Sequence, residues 1–447
     1  MKLNVPRSVP ALRTHEDAVA PRIRPLDELR RSVLACMLWE DSFYESGVSI
    51  AERIRLLVPR CRAQEVADLA VEARSVMHLR HVPLLLCDAL ACYPDLQQRT
   101  AIKLQTVLST VIQRPDELTE FLAIYWPGGD RRGNPKKLSN PVRLGLANAI
   151  TKFNAYSLAK YNRDGIVKLK DIIRLCHPVP KDPEQALAFK QIIDGTLPSP
   201  DTWEVALSSG ADPLATWTRL IEEGKLGGLA TLRNLRNMQK ANVPPGLIKT
   251  AILKANYDRV LPFRFIAAAL HGPQFEPELE HVLFARLAAM APLSGRTVVW
   301  VDCSGSMSGA LSAKSDMSRR DAACALAICA RELCSEVMVG AFATDYAPVP
   351  PRRGFALRDI LGSARVGYGT NIGGAVSASL SAQNPPDRMI VITDDQSHDQ
   401  IPAGNGKCYM LNVAAYQNGL GYGNGWTTIT GFSENVLRYI QQMESEQ

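Results

Sequence analysis

The sequence predicts a multidomain protein of the α plus α/β class, in which a helical N-terminal part precedes a parallel sheet covered by helices. From residue 26 to about residue 290, apolar residues recur at helical spacing, as in "LDELRRSVLACMLW". Short breaks with Pro or Gly separate these segments, which is typical of stacked helical pairs. Beyond "PLSGRTVVWVDCS", continuous apolar runs alternate with helical ones, which indicates a parallel sheet buried on both faces.

This change in the apolar pattern, together with the prolines near the N-terminus, divides the chain into three predicted parts. Residues 1–25 form an arm broken by prolines, residues 26–295 form the helical part, and residues 296–447 form the α/β part. No exact sequence period recurs in the helical part, so we expect a degenerate repeat of helical pairs.

The α/β part contains four predicted strands and three predicted helices. The strands are residues 297–301, 336–343, 388–393 and 407–413. The helices are residues 316–334, 371–383 and 433–443, of which the last is amphipathic.

Composition excludes several classes of protein. With 46% apolar and 21% charged residues, the chain of 447 residues is globular and not disordered. No apolar run approaches the roughly 18 residues that span a bilayer, and the N-terminus lacks an apolar signal core, so we expect a cytoplasmic protein. The ten cysteines form no C-x-x-C pair, and we expect buried thiols in a reducing compartment.

The net charge of +6 is unevenly distributed. The first 295 residues carry a net charge of +8 and the remainder carries −2. An excess of this kind favours a polyanionic partner for the helical part.

Two carboxylates occupy equivalent places in the α/β part, since Asp302 and Asp394 each follow a predicted strand. Ser304 and Ser306 come directly after Asp302, and Thr370 lies in the Gly-rich loop "GYGTNIGGA". The carboxyl ends of parallel strands meet at one edge of a sheet, so we expect these five side chains to converge. Carboxylate and hydroxyl oxygens suit a divalent cation, Mg²⁺ first, with Mn²⁺ or Ca²⁺ as alternatives.

Other interpretations of "DCSGSMSG" are a turn or a catalytic nucleophile. A dehalogenase-type nucleophile requires D-x-D, but Ser304 occupies the third position. A nucleophile elbow requires G-x-S-x-G, and Met307 stands where its serine would be. His398 is expected in a solvated loop, with Asp395 outside the direct ligand set, so no base is evident and we expect no enzyme.

The residues of both parts resemble known families. Asp302, Ser304, Ser306, Thr370 and Asp394 match, in order and context, the metal-ion-dependent adhesion site of the Rossmann-like von Willebrand factor A domains. The segments "LRRSVLACMLWEDSFYESGVSIAERI", "LAKYNRDGIVKLKDIIRLCHPVP", "LATLRNLRNM" and "RVLPFRFIAA" resemble the TROVE module of the Ro autoantigen family. The resemblance covers nearly the whole chain beyond residue 25.

This resemblance implies a ring of HEAT-like helical pairs closed by the von Willebrand domain. It further implies that Y-like non-coding RNA binds an outer basic surface and that single-stranded ends of structured or misfolded RNA enter a central hole.

The residues 152–174 support a nucleic-acid surface, because they include six basic and two acidic residues. In "VKLKDIIRLCHP" an apolar stripe at i, i+3, i+4 and i+7 leaves Lys170 and Arg174 as neighbours on another face. His177 precedes Pro178 and is expected to be extended. The complete set of candidate RNA-binding residues is Lys160, Arg163, Lys170, Arg174 and His177, with Arg131, Arg132, Lys136 and Lys137 in the loop "DRRGNPKK".

A weaker candidate for RNA contact is "LRNLRNMQK", with Arg233, Arg236 and Lys240 three to four residues apart. The alternative is that its arginines brace the helix stack. Because the chain is shorter than animal members of the family, the identity of its RNA stays open.

Taken together, these features predict an RNA-binding scaffold that acts in RNA quality control or processing. We expect the protein to be a monomer that does not contact a membrane. An exoribonuclease is a candidate protein partner. The alternative is a metal-dependent protein–protein adaptor with incidental RNA binding. The third hypothesis is a hydrolase whose reaction centre is Asp302. The lack of an in-line protein nucleophile disfavours it.

Overall fold

The computed structural model describes the chain in segments. They are residues 12–13, 19–20, 24–35, 47–77, 79–126, 137–258, 260, 262–311, 317–394, 396–404, 406–414, 424–430, 436–437, 440–441 and 444.

Helices fill the described residues between 25 and 288, after a short hairpin of β1 (Leu12–Arg13) and β2 (Val19–Ala20). In chain order they are α1 (Pro25–Ala35), α2 (Gly47–Leu57), α3 (Ala63–Ser75), α4 (Val82–Ala91), α5 (Leu96–Ala101), α6 (Leu104–Val111), α7 (Pro115–Tyr125), α8 (Asn140–Ile150), α9 (Ala155–Tyr161), α10 (Leu169–Cys176), α11 (Pro183–Asp194), α12 (Trp203–Ser208), α13 (Pro213–Glu222), α14 (Gly228–Lys240), α15 (Pro245–Lys254), α16 (Phe263–His271) and α17 (Glu276–Ala288).

The breaks between these helices follow their sequence signals. Proline occupies the first turn of several of them, where its missing N–H costs no hydrogen bond. Asp182 and Asp212 cap two such helices through their carboxylates, which accept from the backbone N–H of Gln185 and Ala215 at 2.7 Å.

The helices belong to two hydrophobic cores. The first core extends from Leu29 to Ile192 and includes a buried ion pair, in which Arg74 of α3 donates to Glu117 of α7 at 2.7 Å. The second core begins at Trp217, continues through α14–α17 and includes one face of the C-terminal sheet as far as Ile440. The helices next to the sheet therefore share its core.

The C-terminal sheet has six strands in the order β5-β4-β3-β6-β7-β8. Their bounds are β3 (Leu293–Asp302), β4 (Cys334–Phe342), β5 (Tyr346–Pro348), β6 (Arg388–Thr393), β7 (Lys407–Asn412) and β8 (Trp426–Thr430). All neighbours are parallel except β4 and β5, which are antiparallel.

Helices cover both faces of this sheet, which explains why its inner strands are continuous apolar runs. The helices are α18 (Arg319–Leu333), α19 (Gly354–Gly362) and α20 (Ile372–Leu380). Along β3, Val299 and Val301 belong to the core shared with α18, whereas Val298 and Trp300 belong to a smaller core with α20.

A left-handed glycine fixes the contact between α17 and α19. Gly354 has a φ of +53°, and a Cβ at this position would overlap the carboxylate of Glu280. That carboxylate accepts the backbone N–H of Phe355 at 2.8 Å. The start of α19 is thereby tied to the last helix of the helical part.

The structure confirms the predicted fold class, a helical N-terminal part followed by a sheet with covering helices. The four predicted strands all form, whereas β5, β8 and α19 were not predicted. The predicted helix 433–443 falls mostly outside the described residues. Within the described part of the chain, no helix is long and apolar enough to cross a membrane.

Candidate metal centre and nucleic-acid surface

The β3–α18 loop begins with Asp302, whose side chain is fully buried at the end of β3. Its Oδ1 accepts the backbone N–H of Ser304 at 2.8 Å, and its Oδ2 accepts the hydroxyl of Thr393 on β6 at 2.6 Å. The parallel register places Val301 opposite Ile392, so the hydroxyl comes from the strand next to Asp302. The strand pairing therefore orients this carboxylate.

The hydroxyls that follow Asp302 turn toward each other. Ser304 is fully buried, and its Oγ lies 3.1 Å from the Oγ of Ser306. Arg320 of α18 fixes the backbone of this loop, because its Nη2 donates to the carbonyls of Cys303 at 3.0 Å and of Ser304 at 3.3 Å. The serine hydroxyls are thus placed by a backbone that is itself hydrogen-bonded.

The other two predicted ligands come from neighbouring loops. Asp394 follows β6 and is fully buried, and Thr370 is buried just before α20. The Thr370 carbonyl accepts from the Ser397 hydroxyl at 2.7 Å and from the His398 N–H at 3.0 Å. The Gly305 N–H donates to the Tyr368 carbonyl at 2.9 Å. These bonds join three loops at one edge of the sheet.

Two buried carboxylates at this edge repel each other. Burial and the neighbouring Asp394 raise the pKa of Asp302 to about 7. A bound cation would favour the charged form of both groups and remove this repulsion. The oxygen-only donor set therefore fits a hard divalent cation.

The sequence interpretation missed one charged neighbour of this site, Arg319. Its side chain is buried at the start of α18, 3.5 Å from Asp394 Oδ2, and it donates to the carbonyl of Ser306 at 3.3 Å. A cationic residue in the first turn of a helix opposes the helix dipole. The unfavourable position of a basic residue at this helix start, in "MSRRDAAC", could have indicated from the sequence that Arg319 has a carboxylate partner.

The thiol next to this site is not an activated nucleophile. Burial raises the pKa of Cys303 to about 12, and its thiol donates to the Leu361 carbonyl at 3.5 Å. Met307 is buried in the core and His398 is exposed. The arrangement can hold an ion. Among the described residues, the carboxylate that contacts the Ser304 side chain is Asp302, which is itself a candidate ligand of that ion.

Four of the predicted RNA-binding residues, Lys160, Arg163, Lys170 and Arg174, lie on α9, α10 and the loop between them. On α10 the stripe formed by Leu169, Ile172, Ile173 and Cys176 is buried, as the spacing predicted. Lys170 is partly exposed and Arg174 is exposed. Neither forms an ion pair with another described residue, whereas the nearby Lys168 pairs with Asp164 at 2.5 Å.

Three cations surround the ring of Tyr161 at the end of α9. Lys160 Nζ and the guanidinium carbon of Arg163 each lie 5.9 Å from the ring centroid of Tyr161, and that of Arg114 lies 4.6 Å away. Tyr156, one turn before Lys160, is exposed. The surface thus combines positive charge with aromatic rings, which are the groups that bind phosphates and bases.

The prediction that His177 is extended was wrong. Its φ of 48° and ψ of 56° are left-handed, and its N–H donates to the Ile173 carbonyl at 3.0 Å. Pro178 excludes the right-handed helical conformation at this position, and the left-handed one preserves a terminal helix hydrogen bond. The His177 side chain is exposed beside α10.

Most of the predicted basic loop lies outside the described residues. Arg131, Arg132 and Lys136 belong to the segment 127–136. Lys137 is described and exposed, and its carbonyl accepts the Tyr125 hydroxyl at 3.2 Å.

Comparison with known proteins agrees with this architecture. Residues 195–273 match the family model of the TROVE domain. The crystal structure of the Deinococcus radiodurans Ro (RSR) protein superimposes with a TM-score of 0.60 at 17% sequence identity, covering 93% of this chain and 100% of that one. No curated protein sequence matches the chain. The resemblance to the TROVE and Ro family that the sequence motifs indicated is thereby confirmed.

Proposed function

We propose, from the TROVE match and the Ro-like fold, that this chain is an RNA-binding scaffold whose C-terminal domain holds a divalent cation. The observation that carries the RNA proposal is the pair Lys170 and Arg174, which lie off the buried stripe of α10 and form no ion pair with another described residue. Cations of this kind bind phosphates with release of counterions. By resemblance, the partners are Y-like non-coding RNA and single-stranded ends of structured or misfolded RNA.

The proposed cation site consists of Asp302, Ser304, Ser306, Thr370 and Asp394. Mg²⁺ is the first choice because it prefers oxygen ligands and retains water. When bound, the ion would supply positive charge that an anionic partner group can ligate. The residues of the chain orient the site through the bonds from Thr393 and Arg320.

The scaffold proposal includes the absence of catalysis. The described carboxylate that contacts the Ser304 side chain, Asp302, is assigned to the cation, and the thiol of Cys303 is buried and protonated at neutral pH. We therefore expect the purified protein to bind RNA without cleaving it.

The test is direct RNA binding by the full chain. The protein is titrated into a structured RNA with a single-stranded tail, and into the same RNA without the tail. Binding that persists after stringent purification, without shortening of the RNA, supports the scaffold. Lack of binding to both RNAs at physiological salt would contradict it, and cleavage lost on Asp302→Ala would favour the hydrolase.

One observation favours the adaptor as a second role. Tyr368 is 88% exposed in the loop that leads to Thr370, at the rim of the proposed metal centre. Exposed tyrosine rings beside a polar site are common in protein interfaces. If the adaptor role dominates, Tyr368→Ala should leave RNA binding unchanged while weakening Mg²⁺-dependent capture of a protein partner.

A further inference from the structure

A cleft of about 350 Å³ lies on the C-terminal sheet, between α20 and the edge strand β5. Its floor consists of Val298 and Trp300 of β3, and one wall consists of Tyr346 and Pro348 of β5. A cleft of this volume is large enough for a small molecule. Because α20 begins beside Thr370 and the cleft contacts its last turn, the cleft lies away from the metal centre, toward the amino edge of the sheet.

The indole of Trp300 lies across the neighbouring strand β4. The register places Gly340 opposite Trp300 and Pro348 opposite Gly340, so these three residues form one row on the same face. A Cβ at Gly340 would overlap the indole, so this position of the ring requires glycine. The indole Nε1 donates to the Ser379 hydroxyl at 2.8 Å. The one polar atom of the ring is thereby paired, and the floor of the cleft is apolar.

A second aromatic ring stands at the rim of the cleft. The ring of Tyr346 is perpendicular to that of Trp300, with centroids 5.7 Å apart, and the residue is 44% exposed. On the opposite wall, the side chains of α20 that line the cleft are small, namely Ala378 and Ser379. A ligand ring placed here could stack on one aromatic ring and meet the other edge-on, which are the two favoured arrangements of aromatic pairs.

One cation lines the end of the cleft, Arg296 of β3. Its Nη2 donates to the Pro385 carbonyl, whereas its Nε is buried and has no hydrogen-bond partner among the described residues. A buried donor without a partner costs free energy, and a bound acceptor would offset that cost. The guanidinium therefore favours a ligand that carries an anionic oxygen.

Two carboxylates near Arg296 limit the charge that such a ligand can carry. Glu336 lies opposite Arg296 in the register and is exposed. Asp387 accepts the backbone N–H of Arg296 at 2.7 Å. A phosphate monoester carries nearly two negative charges at neutral pH and would be repelled by both. The surroundings of Arg296 thus favour a singly charged carboxylate.

The geometry points to a small-molecule site for an aromatic carboxylate, whose ring packs against Trp300 and Tyr346 and whose carboxylate pairs with Arg296. Burial of the ring supplies most of the affinity, and the guanidinium selects acids over uncharged ring compounds. The site uses neither the RNA surface of α9 and α10 nor the proposed cation. It therefore goes beyond the proposed function and does not depend on it.

The test is ligand-observed NMR by saturation transfer from the full chain. The probe is indole-3-propionate, and its amide is the matched ligand without charge. Arg296→Gln removes the cation, and Arg365→Gln removes an exposed cation in the loop after α19 as a control. Ala378→Leu fills the cleft without a change of charge, and Ser377→Leu enlarges the neighbouring exposed residue of α20 as its control. Thermal unfolding checks that each variant is folded.

Wild type should bind the acid with a Kd on the order of 0.1–1 mM, as expected for a ligand of this size. It should bind the amide about tenfold more weakly, because the amide lacks the charge-assisted hydrogen bond. Arg296→Gln should remove this preference for the acid, and Ala378→Leu should weaken binding of both ligands. The two control variants should bind both as wild type does.

Several outcomes overturn the inference. Lack of saturation transfer to the acid, or equal affinity of wild type for acid and amide, refutes the site or the role of Arg296. Unchanged binding by Ala378→Leu shows that the acid binds elsewhere on the protein. Octanoate that displaces the probe at equal concentration would assign the cleft to aliphatic acids, and uridine monophosphate that does so would assign it to nucleotides. RNA binding by wild type, measured separately, decides the proposed function whichever result is obtained here.

Discussion

Replacing Asp302 by Asn should abolish the stabilisation of this protein by Mg²⁺. Asparagine retains the shape of the side chain, an oxygen for the Ser304 N–H and an amide N–H that the Thr393 hydroxyl can accept. It removes only the charge. The variant thus tests whether the carboxylate holds an ion or merely ends a strand.

The size of the effect follows from binding linkage. A ligand at 100 times its Kd stabilises the folded state by about 2.7 kcal/mol. For a cooperative unit of 150–250 residues, this corresponds to a rise of roughly 5–10 °C in the unfolding midpoint. Wild type should show this rise between EDTA and saturating Mg²⁺, and the Asp302→Asn variant should show none.

Without Mg²⁺, the order of stability of wild type and the Asp302→Asn variant should be different. In EDTA at pH 8 the wild type carries two buried carboxylates that repel each other, and the variant carries one. Asp302→Asn should therefore be at least as stable as wild type in EDTA.

Scanning calorimetry with and without Mg²⁺ measures both effects. Asp359→Asn, an exposed change on α19, serves as control and should behave as wild type. Equal Mg²⁺ stabilisation of the wild type and the Asp302→Asn variant would refute the site assignment.

Further predictions concern the RNA surface, the buried cation and the first core. Reversing both charges of Lys170 and Arg174 to Glu should flatten the salt slope of RNA binding by about 1.4, measured by filter binding, with little change in stability. His177→Ala should weaken the same binding with an unchanged slope, because a ring binds bases and not phosphates. Arg319→Met should tighten Mg²⁺ binding by about tenfold in isothermal titration calorimetry and destabilise the metal-free protein; unchanged affinity would separate Arg319 from the ion site. Glu117→Ala should lower the free energy of unfolding by about 3–5 kcal/mol in urea titrations, because it leaves a buried guanidinium unpaired; a loss below 1 kcal/mol would show that water or another carboxylate compensates.

The inner strands of the sheet could be predicted because their burial on both faces leaves a continuous apolar signature. β6 was predicted with its observed bounds, 388–393. β5 escaped prediction because all three of its residues are exposed and it ends at Pro348. β8 escaped because threonines dominate it and it pairs only at the sheet edge.

The candidate metal ligands could be predicted from their order in the sequence, because parallel strands bring their carboxyl ends together. The supporting contacts could not. The bond from Thr393 to Asp302 depends on which strands are neighbours, and the approach of Arg319 to Asp394 depends on where α18 begins. On α10, periodicity separated the buried stripe from Lys170 and Arg174, whereas the conformation of His177 depends on how the helix ends.

The continuous core between α13–α17 and the sheet has a practical consequence for dividing the chain. The apolar pattern of the sequence changes from helical to strand-like at about residue 295. However, α16 and α17, which precede this boundary, both pack on α18, which follows it. A fragment that ends there would expose Leu283 and Leu287 to water, as well as the side chains of α18 that contact them. Limited proteolysis should instead cut first between α11 and α12, near residues 195–202, where the two cores meet and the backbone is largely exposed. The fragment that survives on the C-terminal side should carry α13–α17 together with the sheet.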